Sequence, residues 1–134
     1  MIALDTNVLL YACDRADSKR QQIAIDLIAN SRDGVLLWQV ACEFVAASRK
    51  LSTQGFTASD AWSRLTEFLT LLPLILPTAG VLERGQSLHA TRGVSFWDAL
   101  ILAACAEAGV ETLYSEDIPG LPALGALRVV NPFG

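Results

Sequence analysis

Ile2-Ala3-Leu4-Asp5-Thr6-Asn7 is the stretch that decides the fold. Its apolar run is continuous rather than alternating, which predicts a strand covered on both faces, as in a parallel sheet. The run stops at Asp5, so a carboxylate stands just past the carboxyl end of the first strand. Outward from there the pattern repeats. Val35-Leu36-Leu37-Trp38 reads as a second short strand after Asp33-Gly34, and Leu74-Ile75-Leu76 as a third, confined by Pro73 and Pro77. Residues 112–115 and 127–130 are the last two strands. Between them, helical periodicity covers residues 18–31, where Ile23/Leu27 and Ala24/Ile28 are pairs four apart. Residues 39–51, 57–72, 78–91 and 95–108 are helical too. The third of these five helices opens on a Thr57-x-x-Asp60 capping box, and the last ends at Gly109. Alternating strands and helices give an α/β domain with a mainly parallel, roughly five-stranded sheet. Residues 1–134 read as a single domain, with no internal repeat, low-complexity segment or linker.

The composition is 52% hydrophobic and only 18% charged, which excludes disorder. It predicts more apolar surface than a monomer needs, hence an oligomer or a partner. The longest apolar stretch, residues 68–82, is interrupted by Pro73 and Pro77 and is too short to span a bilayer. With no basic n-region or cleavage signature at the start, neither a membrane segment nor a secretory signal is expected. Cys13, Cys42 and Cys105 are odd in number, form no CxxC and have apolar neighbours. They read as buried thiols in a reducing cytosol. A nucleophilic cysteine paired with the single His89 has no local motif behind it.

Four carboxylates fall at element junctions. Asp5 ends the first strand, where an Asx-turn or a helix N-cap is the ordinary role. In an open α/β sheet, however, sites lie beyond the carboxyl ends of the strands. Glu43 falls within the helical stripe Val40, Phe44, Ala47 and Leu51. A charge on a buried face needs an arginine partner or a metal ion. Asp98 completes Ser95-x-x-Asp98, a capping box, and opens a helix that is apolar on all sides from Ala99 to Ala106. The amides and dipole there favour an anion. Asp117 follows the fourth strand in Ser115-Glu116-Asp117-Ile118-Pro119-Gly120, where a turn aspartate is the plain alternative. Glu116 reads as solvated.

All-oxygen ligation without histidine suits Mg²⁺ or Mn²⁺ and does not suit zinc. Such an ion binds a phosphate oxygen and acidifies a bound water, so no protein nucleophile is needed. Thr6, Asn7 and Ser115 lie beside the acids and can hold water or a phosphate oxygen. Lys19 and Arg20 open a helix, the unfavourable end for positive charge, and are candidate contacts for phosphate, with a solvated helix start as the plain alternative. The net charge of −4 equals these four carboxylates, so the rest of the chain is neutral. Acidity therefore does not exclude a phosphate-bearing substrate, although it excludes a broad basic surface.

Several of these segments also carry a family resemblance. The opening through Val8-Leu9-Leu10-Tyr11-Ala12 resembles that of PIN-domain nucleases, most of all the VapC-type toxins of toxin–antitoxin pairs. Ser95-Phe96-Trp97-Asp98-Ala99-Leu100-Ile101 resembles the third-acid helix of that family, and Tyr114-Ser115-Glu116-Asp117 its fourth-acid loop. Arg128-Val129-Val130-Asn131-Pro132-Phe133 resembles the usual ending. The resemblance implies a three-layer α/β/α sandwich and a cytoplasmic, metal-dependent endoribonuclease with Asp5, Glu43, Asp98 and Asp117 as metal-site acids. It further implies an RNA substrate, a homodimer and neutralisation by a small antitoxin protein.

Other acidic phosphate chemistries fit less well. Haloacid dehalogenase phosphatases need a second acid two residues after the first, and that position is Asn7. Receiver domains need paired acids after the first strand and a late lysine, whereas the last lysine here is Lys50. A non-catalytic protein-binding module, or a Mg²⁺ phosphohydrolase acting on something other than RNA, is the remaining alternative.

Overall fold

The computed structural model describes residues 1–119 and 124–134. Gly120, in the turn expected at Pro119-Gly120, lies outside that range. Five parallel strands form one sheet in the order β3-β2-β1-β4-β5, with β1 (Ile2–Leu4) at its centre. β2 (Gly34–Leu37) and β3 (Leu74–Ile75) lie on one side of it, and β4 (Thr112–Tyr114) and β5 (Arg128–Val130) on the other. The apolar Ala3, Leu4, Leu36 and Leu113 are fully buried, as continuous apolarity predicts for strands covered on both faces.

The helices are α1 (Thr6–Cys13), α2 (Ser18–Asn30), α3 (Trp38–Ala47), α4 (Ala58–Leu71), α5 (Ala79–Arg92) and α6 (Phe96–Ala108). The chain steps outward from β1 to β2 to β3, then returns past β1 to β4. Right-handed crossovers therefore put α1 to α4 on one face and α5 with α6 on the other. The packing agrees: α1 meets α2 and α3, α3 meets α4, α5 lies on α6, and β2 touches both α4 and α6. This is the α/β/α sandwich. The α5–α6 contact is close because Gly85 lacks a side chain; a Cβ there would sit 2.7 Å from Leu100 Cδ2.

Four local readings need correction. The segment after Asp5 is a helix, α1, which hydrophobic periodicity did not mark, although a helix N-cap was one of the roles weighed for Asp5 and is the one it takes. The helix is only eight residues long and almost wholly apolar, with Val8, Leu9, Ala12 and Cys13 buried, so it shows no amphipathic period. The helix expected over residues 39–51 starts at Trp38 and gives way at Ser48 to a 3₁₀ segment, Ser48–Gln54. There the Ser48 hydroxyl donates to the Val45 carbonyl at 2.8 Å, competing with the helical ladder. Gly55 then stops the chain with φ of +79°. Leu76 is not part of β3, which holds only Leu74 and Ile75. Cys42 is exposed, whereas Cys13 and Cys105 are buried as expected. It lies two residues from Phe44, about 200° round the helix, and so faces away from the core.

The Thr57–Asp60 capping box forms in both directions, at 3.1 and 2.8 Å. The surplus of apolar surface is real: Trp62, Leu76, Leu82 and Trp97 are each more than 60% exposed. Among the described residues, no helix is long and apolar enough to cross a membrane.

Candidate active site

Parallel register carries the first acid to its partners. Leu4 pairs with Tyr114, so Asp5 and Ser115 emerge side by side at the carboxyl edge. The Asp5 amide donates to the Tyr114 carbonyl at 2.9 Å, and the Ser115 hydroxyl donates to Asp5 Oδ2 at 2.7 Å. Asp5 Oδ1 accepts the Thr6 amide at 2.7 Å, so the carboxylate also caps α1. Ser115 Oγ accepts the amides of Asp117 and Ile118 at 3.2 and 3.1 Å, which shapes the loop that carries the last acid. The place is the switch point of the sheet, between β1 and β4, where open α/β sheets bind ligands.

The other acids reach the same edge from the middle of α3, the first turn of α6 and the loop after β4. Glu43 is half-buried on α3. It accepts Thr6 Oγ1 at 3.0 Å and Gln39 Nε2 at 2.8 Å. Among the described residues no arginine pairs with it, so the arginine partner weighed for Glu43 does not form. Only half of the Ser95–Asp98 box forms: the Asp98 amide donates to Ser95 Oγ at 3.4 Å. The Asp98 carboxylate accepts no hydrogen bond from the described residues. Asp117 is exposed, and its Oδ2 accepts Asn7 Nδ2 at 3.2 Å. The same Asn7 amide reaches Asp5 Oδ2 at 3.3 Å, so Asn7 bridges the first and last acids.

All four carboxylates, with Thr6, Asn7, Leu10 and Lys50, line one open cleft of about 470 Å³. Asp5 is its buried floor. Burial pushes the Asp5 carboxyl above the ordinary value of 3.8; the hydrogen bonds from Ser115 and Thr6 oppose this, and the charges of Glu43 and Asp98 add to it. Even so, among the described residues no three Asp, Glu, His or Cys side chains converge closely enough to enclose a metal ion. A dedicated all-protein cage is therefore absent from these residues. Mg²⁺ needs no such cage, because it keeps several waters and takes one or two carboxylates. The donor set is all oxygen and fits Mg²⁺ or Mn²⁺ on that basis.

In the absence of metal, the raised Asp5 pKa has a definite sign. The folded state holds the proton more tightly than the unfolded chain, so this group's contribution is fully present below pH 3.8 and lost as pH rises through the folded value. Metal-free Asp5→Asn should therefore gain stability relative to wild type as pH rises above 3.8, measured by urea denaturation in EDTA. A gap that stays constant with pH would show that Asp5 is not coupled to a proton.

Three residues of the site escaped sequence reading. Gln39 also donates to the Trp97 carbonyl at 3.0 Å, tying Glu43 to the start of α6. Its spacing of four from Glu43 was the available signal. Lys50 lies two helical turns beyond Glu43. Tyr11 donates its hydroxyl to Glu116 Oε2 at 2.7 Å, and Arg20 Nε lies 3.6 Å from Glu116 Oε1. Glu116 is thus held from outside the cleft rather than solvated. Arg20 is engaged with Glu116 and Asp17, and neither it nor Lys19 lines the acidic cleft. His89 is used structurally, with Nδ1 2.9 Å from the Val94 carbonyl.

No curated protein matches this sequence. Solved structures share the fold at low identity. VapC20 of Mycobacterium tuberculosis, described as a sarcin-ricin loop cleaving toxin, is 20% identical with a TM-score of 0.69, over 87% of this chain and 90% of that one. VapBC2 from Rickettsia felis, bound to a DNA fragment from its promoter, is 20% identical with a TM-score of 0.69, over 98% of both chains. A toxin–antitoxin complex from Klebsiella pneumoniae is 19% identical with a TM-score of 0.68, again over 98% of both. The PIN domain family model matches residues 2–118, a span that takes in all four acids. With so much of its length matched, the chain belongs to the PIN domain family.

Proposed function

We propose that this protein is a Mg²⁺- or Mn²⁺-dependent endoribonuclease, the toxin of a toxin–antitoxin pair. It acts in the cytoplasm as a homodimer and is neutralised by a small antitoxin protein. The observation that carries the reading is the shared cleft of Asp5, Glu43, Asp98 and Asp117 at the switch point of a parallel sheet. The toxin and toxin–antitoxin structures of the same fold support the biological setting.

Asp5, Glu43, Asp98 and Asp117 would hold the ion, one or two of them directly and the others through its retained waters. When bound, it supplies Lewis-acid stabilisation of phosphate charge and a more acidic water. The chain itself fixes the acids. Ser115 and the Thr6 amide orient Asp5, Thr6 and Gln39 orient Glu43, and Asn7 keeps Asp117 beside Asp5. The Asp98 carboxylate has no protein donor among the described residues, which leaves it available to the ion or its waters.

The test is cleavage of total bacterial RNA by purified protein, with Mn²⁺ and with excess chelator. Cleavage should require the metal and fall sharply in Asp5→Asn and Asp98→Asn. Equal activity in those variants would sink the mechanism. Hydrolysis of p-nitrophenyl phosphate without RNA cleavage would favour a phosphohydrolase instead. For the toxin role, induced expression in a bacterial host should arrest growth, and co-expression of the antitoxin should relieve it.

A further inference from the structure

The acidic cleft adjoins a second one, and Lys50 stands where they meet. The second cleft is lined by Asn7, Leu10, Tyr11, Asp14, Lys50, Leu51, Gln54, Glu116 and Asp117. It shares Asn7, Leu10, Lys50 and Asp117 with the first, so the two form one continuous groove. Among the described residues, Lys50 is the only basic side chain lining either cleft. It is exposed and makes no ion pair with any described residue, although six carboxylates line the joined groove.

Five of those carboxylates have other engagements, and the sixth, Asp98, stands on α6 with no protein donor among the described residues. Asp14 Oδ1 accepts Gln54 Nε2 at 2.6 Å and the Ala16 amide at 3.0 Å. Glu116 is held by Tyr11 and Arg20. Asp5, Glu43 and Asp117 each accept at least one side-chain hydrogen bond. Lys50 is left as a cation without a counter-charge in an otherwise acidic groove. It lies seven positions beyond Glu43 along α3 and the 3₁₀ segment, about 10 Å at 1.5 Å per residue. That is a few nucleotide steps at about 3.4 Å or more each.

A chain with net charge −4 has no broad basic surface to draw an RNA strand to its acids. An ion at the acids can serve the reacting phosphate, but neighbouring phosphates need a cation of the protein's own. We infer that Lys50 is that cation: a substrate-positioning residue that binds an RNA phosphate within a few nucleotides of the reacting one, along the groove toward Tyr11 and Gln54. The inference rests on the nuclease reading above. It replaces Lys19 and Arg20 as the phosphate contact expected from sequence, since Arg20 is already paired and neither lines the groove.

The experiment is the initial rate of total-RNA cleavage with Mn²⁺, at subsaturating RNA, across a KCl series. The proteins compared are wild type, Lys50→Met, Lys50→Arg and Arg32→Met. Arg32 lies at the opposite edge of the sheet, next to Asp33, whose carbonyl accepts the Ile2 amide. Each phosphate contact adds about 0.7 to the slope of log rate against log salt for a single strand. Lys50→Met should lower the low-salt rate about 10-fold through KM, with kcat kept at saturating RNA, and reduce that slope by about 0.7. Lys50→Arg should restore both, and Arg32→Met should match wild type. Wild-type rate and slope in Lys50→Met would overturn the role of Lys50 while leaving the nuclease intact. A lower rate at unchanged slope would equally overturn a phosphate contact. No cleavage by the wild type would overturn the nuclease reading, and this inference with it.

Discussion

Asp5→Asn is expected to reduce Mn²⁺-dependent RNA cleavage by more than about 100-fold, the loss that even an outer partner of a metal ligand can cause. The expectation follows from where Asp5 sits. It is the one acid of the four that is buried, at 6% exposure, and it ties β1 to α1 and to the loop after β4. Its carboxylate meets Ser115, the Thr6 amide and Asn7, and through Asn7 the loop of Asp117. Asparagine keeps the shape but loses the charge, so attraction for a divalent cation falls with little change in packing. The substitution does leave one donor unmatched, because an amide group presents one acceptor where the carboxylate presents two. That loss, about 1–3 kcal/mol, is opposed by removal of a desolvated charge and its repulsion from Glu43 and Asp98. The variant should therefore fold, which circular dichroism and thermal melting would verify beside the rate. A folded Asp5→Asn protein that still cleaves within a few-fold of wild type would remove Asp5 from the mechanism.

Phe44→Ala is expected to destabilise the protein by about 3–5 kcal/mol. Phe44 is fully buried and packs edge-on against Phe68 of α4, with ring centroids 5.4 Å apart. The pair joins α3 to α4. Since domains of this size are stable by only about 5–15 kcal/mol, the loss would remove a large share of the total. Glu43 is the preceding residue on the same helix, so activity should decline together with the folded fraction. Urea denaturation of wild type, Phe44→Ala and Phe44→Leu would measure this, with leucine recovering part of the loss because it refills part of the cavity. A loss below about 1 kcal/mol for alanine would mean that α3 is not anchored through this contact.

The two residues also show what kinds of signal a sequence carries. Phe44 was legible as one member of a helical stripe, and its partner Phe68 only as a residue of the helix expected over residues 57–72. That the stripes of α3 and α4 face each other is a consequence of the order in which the strands pair. Asp5 was legible because a strand ends there. Its contact with Ser115 depends on the register of β1 against β4, which aligns Leu4 with Tyr114 across more than a hundred residues of chain. The short helix α1 was illegible because a helix buried on most sides has no polar face to mark its period. Glu116 was misread because its partner, Tyr11, is distant in sequence and offers no spacing rule.

By itself, the sequence determined the parallel α/β architecture and marked Asp5, Asp98 and Asp117 near element junctions and Glu43 as a charge within a helical stripe, because hydrophobic continuity, capping pairs and turn residues act locally. Only the tertiary structure decided the hydrogen-bond partners of each acid and the withdrawal of Glu116 and Arg20 into a pair of their own. It alone also decided the standing of Lys50 as the one basic side chain that the described residues place in the groove. Those outcomes depend on long-range register and crossover handedness, which bring together charges that no local pattern relates.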